Sequence, residues 1–174
     1  MKAWATAFFF LLAGSAAAQS PRLDDPCAAV SAGPKAPSPQ RFSVRTPDGW
    51  KATDKGGVIA SAAAPKVGSI WVRAERAPAS AERCLTASTQ SLSQSGLWKP
   101  GKSGQAVVGG GGAGVFWYAL GQASADRSPC GKEGTPELVG MFQRGSSWYA
   151  VNARLCSGDP LALTLQTLRS YKPL

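Results

Sequence analysis

Residues 137–156, ELVGMFQRGSSWYAVNARLC, decide how this chain folds. Glu137 to Arg144 and Trp148 to Cys156 read as two strands joined by Gly145-Ser146-Ser147. In the second strand Tyr149, Val151, Ala153 and Leu155 alternate with Trp148, Ala150, Asn152 and Arg154, the period of two that a strand with one buried face requires. A regular hairpin carries Cys156 to a point opposite the approach of Cys130. The pattern therefore favours a Cys130–Cys156 bridge and leaves Cys27 to pair with Cys84. Each bridge is expected to stabilise the fold by about 2–4 kcal/mol, mainly by restricting the unfolded chain. Recovery of a Cys84–Cys130 linked peptide from unreduced protein would sink this pairing. Metal ligation is the competing use of four cysteines, but it needs close-spaced ligands, and here the spacings are long and histidine is absent.

Upstream, the same reasoning gives further strands. Phe42 to Val44 reads as a short strand running into the turn Thr46-Pro47-Asp48-Gly49-Trp50. Val58 to Ala62 and Ser69 to Ala74 follow, separated by a turn around Pro65 to Gly68, and Gln105 to Val108 and Gly114 to Gly121 lie beyond. Two segments read as helices. Ser80 is a suitable N-cap for a helix running to about Gly96, with Glu82 in its first turn. Asp159-Pro160 opens a second, in which Leu161, Leu165 and Leu168 share the face expected to meet the sheet. The order is three strands, a helix, four strands and a helix. It predicts an α+β domain, an antiparallel sheet of about seven strands flanked by two helices, over residues 41–174.

The N-terminus sets the compartment. Lys2, the apolar run Ala3 to Leu12 and the small residues Ala16-Ala17-Ala18 have the layout of a secretory signal peptide over residues 1–18. The run is interrupted by Gly14 and Ser15, too short for a membrane span of about 20 residues. Residues 19–40, rich in Pro, Ser and Ala, read as an extended lead-in tied down at Cys27. An even cysteine count with an export signal points to an oxidising, periplasmic or extracellular setting without a transmembrane anchor after cleavage. The formal charge is +9, falling to about +8 once Lys2 is removed, and the cations are scattered singly. That distribution fits a diffuse attraction to an acidic protein or an anionic envelope polymer or lipid, and not nucleic acid.

The opening Phe42-Ser43-Val44-Arg45-Thr46-Pro47-Asp48-Gly49-Trp50 resembles the start of PsbP-like domains, which include DcrB-type bacterial envelope proteins. The closing hairpin and helix, followed by Leu168-Arg169-Ser170-Tyr171, are similar too. The resemblance implies an α/β/α sandwich and a binding, assembly or accessory role. It carries over no functional residue, and the four cysteines depart from the family pattern.

The absence of histidine excludes Ser-His-Asp and Cys-His nucleophiles and histidine-ligated metals. Ser-x-x-Lys and Cys-x-x-Cys signatures are missing as well, and no spacing singles out a pair of catalytic carboxylates. Gly109 to Gly114 matches Gly-x-Gly-x-x-Gly, but a strand follows where a dinucleotide fingerprint needs a helix. It reads as a flexible hairpin loop free to contact a partner. Among the tryptophans, Trp71, Trp117 and Trp148 lie in strands and are expected to fill the core. Trp98, beside Lys99-Pro100-Gly101-Lys102, is expected to be exposed and is the candidate interface residue. These features predict a non-catalytic exported binding domain needing no cofactor or metal. Its partner is expected to be an envelope protein, with two alternatives: an immunity protein or inhibitor of a toxin or cell-wall hydrolase, and a binder of an anionic envelope ligand.

Overall fold

A computed structural model describes Cys27 and residues 42–43, 45, 47–52 and 60–173. The expected signal peptide, the lead-in apart from Cys27, and Val58-Ile59 lie outside the described residues. In chain order the elements are β1 (Phe42–Ser43), β2 (Lys51–Ala52), β3 (Ala60–Ala64), β4 (Gly68–Glu75), α1 (Ala81–Gln94), β5 (Trp98–Val108), β6 (Gly114–Ala123), β7 (Thr135–Arg144), β8 (Ser147–Leu155), α2 (Pro160–Arg169) and β9 (Lys172–Pro173).

The hairpin at 137–156 forms the middle of the sheet, with Glu137 opposite Arg154 and Arg144 opposite Ser147. Six strands of five residues or more run antiparallel in the order β3-β4-β8-β7-β6-β5, and the two-residue β2 adds at the β3 edge. The expectation of seven full strands is corrected to six. The segment assigned to the first, at Phe42, pairs instead with Lys172–Pro173 in a separate two-stranded ribbon. The turn at Pro47 to Trp50, closed by the Trp50 amide donating to the Pro47 carbonyl, separates that ribbon from the sheet.

Register decides which side chains share a face. Trp71, Asn152, Val139 and Ala119 form one row across the sheet, and Val72, Val151, Gly140 and Tyr118 form the next, pointing the other way. Helix α1 packs with Leu85 and Leu92 on the first face, against Trp98, Ala119, Trp117 and Val139. Helix α2 covers the opposite face, where Ile70, Val72, Phe116, Leu138, Phe142, Tyr149, Val151 and Leu168 make the larger core. The path explains why α1 crosses a face: β4 and β5 stand four strand spacings apart, roughly 19 Å. The 14 residues of α1 reach about 21 Å.

Both helices begin as their sequences require. The Ser80 side chain accepts from the Arg83 amide at 3.3 Å, and Asp159 accepts from the Leu161 amide at 2.8 Å. On α2 only Leu168 of the leucine stripe is fully buried. Thr164 and Thr167 are buried between the leucines, while Leu161 and Leu165 are only partly covered. Each threonine hydroxyl donates to the carbonyl one turn back, to Pro160 and Leu163, so burial leaves no free donor there.

The disulfides join Cys27 to Cys84 and Cys130 to Cys156, the pairs the hairpin pattern favours. The glycine run differs from its sequence reading. It is seated on the end of α2, where a Cβ on Gly111 would lie 2.3 Å from the Tyr171 carbonyl oxygen. Arg144 donates to the Gly111 carbonyl and stacks over the Tyr171 ring. Glycine serves close approach at this loop, not freedom to meet a partner.

Tyr171 itself is buried, its hydroxyl 3.4 Å from that of Tyr149. Burial, reinforced by the Tyr149 hydroxyl and opposed by Arg144, pushes its pKa from 10.0 up to about 12. An acid whose folded pKa is raised contributes stability in full below the unfolded value and loses it as pH rises through the folded one. Urea unfolding is expected to show a loss of about 2 kcal/mol between pH 10 and pH 12. Tyr171→Phe should flatten that decline, and an unchanged slope in the variant would assign it elsewhere.

Candidate functional site

A groove of about 380 Å³ lies between one flank of α1 and the edge strand β5. The α1 wall is Glu82, Thr86 and Thr89, placed on one side of the helix by their four- and three-residue spacing. Thr86 donates its hydroxyl to the Glu82 carbonyl, and Thr89 to those of Leu85 and Thr86. With those hydrogens committed, both threonines offer the groove only lone pairs, beside the Glu82 carboxylate. The facing wall is Lys102, Ser103 and Gln105 of β5, with Trp98 and Trp117 also lining the groove.

The β5 wall is shaped by a break in the ladder. Lys99 and Pro100 pair with Gln122 and Gly121, pairing resumes at Ser103 opposite Ala119, and the strand bulges between. Proline lacks the ladder donor and is tolerated at such an edge. At the bulge a Cβ on Gly101 would lie 2.7 Å from the Leu120 carbonyl oxygen, so the two backbones press together.

Trp98 is the one site residue taken from the sequence as an exposed contact, and the structure corrects that: it is 5% exposed. The strand begins at Trp98 and not at Gln105, and the indole lies on β6 where Gly121 leaves room. A Cβ on Gly121 would come 2.2 Å from the ring. The indole N–H is buried and has no hydrogen-bond partner among the described residues. Trp71, Trp117 and Trp148 also stand on the α1 side of the sheet, half-buried. Trp117 and Trp148 stack 5.4 Å apart across β7, and Arg73 lies over Trp71. Only part of this face lies under α1.

A second polar cluster underlies the same face. Glu137 is fully buried. Its carboxylate receives Arg127, the Arg154 Nε at 3.0 Å and the Asn152 Nδ2 at 2.7 Å. Arg154 is its cross-strand neighbour, and Arg127 comes from the turn after β6. Every oxygen of this carboxylate is engaged by cations or amide, so the cluster is a structural knot between β7, β8 and the loop closed by Cys130–Cys156.

Sequence reasoning placed Trp98 near the site but missed Thr86, Thr89, Lys102, Ser103 and Gln105. The available signal was proline and glycine inside a strand pattern, the mark of a bulged edge.

The chain matches no protein-family model and no curated protein. Among solved structures it is similar to a crystal structure from Bacteroides thetaiotaomicron VPI-5482, at 17% sequence identity and a TM-score of 0.43. The match covers 79% of this chain and 47% of that one, so this chain spans about half the length of that protein.

Proposed function

We propose that this chain is an exported, non-catalytic binding domain of the bacterial envelope, a PsbP-like α/β/α sandwich that holds a partner protein at the α1–β5 groove. The groove carries the reading. It combines aromatic walls and hydrogen-bonding side chains, with Glu82 the single carboxylate in its lining. Such a lining suits recognition, whereas acid–base chemistry on a glycan needs two carboxyl groups a few ångströms apart. Helices on opposite faces of an antiparallel sheet and the opening at Phe42 to Trp50 support the family assignment. Export is supported by the leader-like residues 1–18 and by two disulfides, and among the described residues no helix is long and apolar enough to cross a membrane.

The test is to crosslink a tagged copy in living cells, purify it from the envelope at two salt concentrations and identify what is attached. One dominant protein at both salts is the expected result. Recovery of only polymer or lipid, lost at high salt, would overturn it in favour of an anionic ligand. Reproducible hydrolysis of envelope polymers by the purified protein would overturn the non-catalytic reading.

A further inference from the structure

Strand β5 ends the sheet, and among the described residues nothing pairs with its outer side. Its two halves treat that exposure differently. From Trp98 to Lys102 the edge is defended by Lys99, Pro100, the bulge and Lys102, the devices that keep edges from pairing with other chains. From Ser103 to Val108 it is undefended. Those six residues pair with β6 in unbroken register, contain no charge and no proline, and include Val107, 79% exposed. The groove straddles that boundary, lined by Pro100, Gly101 and Lys102 on one side and by Ser103, Gly104 and Gln105 on the other. Every second N–H and C=O of this stretch points away from β6, over a length of about 20 Å.

We propose that the partner is captured as an extended polypeptide segment that adds as a strand along Ser103–Val108 and places an acidic side chain beside Lys102, at the β5 wall of the groove. This rests on the binding-domain reading above and specifies its mode. Strand addition draws affinity from main-chain hydrogen bonds and specificity from pockets that receive alternate side chains. Here the pocket stands over the same strand that offers the bonds. Charge selects the side chain. Lys99 and Lys102 are the only charged residues of β5 and the whole chain carries +9, whereas Glu82 and the threonine lone pairs belong to the α1 wall, so an acid is selected on the β5 side of the groove. A second copy of this chain is the poorer occupant, because it brings the same positive charge and no acid on its β5.

The probes are short synthetic peptides of alternating Val and Thr with a central Glu, or with Lys in its place. Amide hydrogen exchange of the intact protein is followed residue by residue. The Glu peptide is expected to slow exchange at the outward amides of Ser103–Val108 and to bind about tenfold more tightly than the Lys peptide. Lys102→Glu, an exposed substitution, should reverse that order. Two further Glu peptides, N-methylated on alternate residues along one edge or the other, leave the protein untouched. One should lose binding and the other retain it.

Equal binding by both methylated peptides, or no protection at β5 by any peptide at millimolar concentration, overturns the proposal. So does protection that appears on raising the protein concentration alone, which would identify a second copy as the occupant. If a protein partner is crosslinked in cells through another surface, this inference and the assignment of the groove both fail, and only the reading as an exported binding domain stands. Absence of any protein partner sinks both.

Discussion

Glu137→Ala is expected to cost about 3–5 kcal/mol, measured by urea unfolding, a large part of the 5–15 kcal/mol typical of a domain. The carboxylate is fully buried, and Arg127 and Arg154 are each only 22% exposed at the side chain. Removing it leaves two guanidinium groups facing each other and the Asn152 amide without its acceptor at Glu137, all with restricted access to water. The order of effects is diagnostic. Arg154→Ala should cost clearly less, because Arg127 and Asn152 still hold the carboxylate. Equal costs for the two variants would show that the cluster does not behave as a knot centred on Glu137.

Phe116→Ala is expected to cost a similar amount, about 3–5 kcal/mol, for a different reason. The ring is wholly buried on the α2 face, near Tyr118, and lies against Gly140, where a Cβ would come 2.5 Å from it. With glycine beneath, no side chain on β7 at that point can swing in to fill the space, so much of the cavity should persist. Because Phe116 faces away from α1, the folded fraction of the variant should keep its groove and bind the Glu peptide as the parent does. Loss of that binding at equal folded fraction would mean that the two faces of the sheet are coupled.

How much of this was legible beforehand depended on whether the deciding interaction was local. The 137–156 hairpin, both helix caps and the two cysteine pairs follow from alternation, from Ser80 and Asp159, and from the hairpin's own register. The sheet edge did not. Lys99-Pro100-Gly101-Lys102 has the composition of a turn, and only the pairing of Lys99 and Pro100 with β6 makes it strand. The error carried over to Trp98, whose burial depends on Gly121 more than twenty positions away. Phe42 misled in the same manner, since its backbone partner is Pro173 at the other end of the chain. The glycine loop was misjudged because composition distinguishes poorly between glycine kept for motion and glycine kept for closeness. Of the groove, Glu82 was noticed only as a helix start, and the role of the threonines required knowing which carbonyls their hydroxyls had already taken.

Two glycines of the sheet, Gly121 beneath Trp98 and Gly140 beneath Phe116, bear on how a mutational survey of this protein would look. Any side chain at either position meets an aromatic ring or backbone at under 3 Å. In a saturation library scored by protein abundance, both columns should be as depleted as those of an essential reactive group. In one scored by ligand capture per folded molecule they should go silent, while Lys102 becomes the intolerant position. Comparing the two scores would separate residues that shape the scaffold from residues that meet the partner.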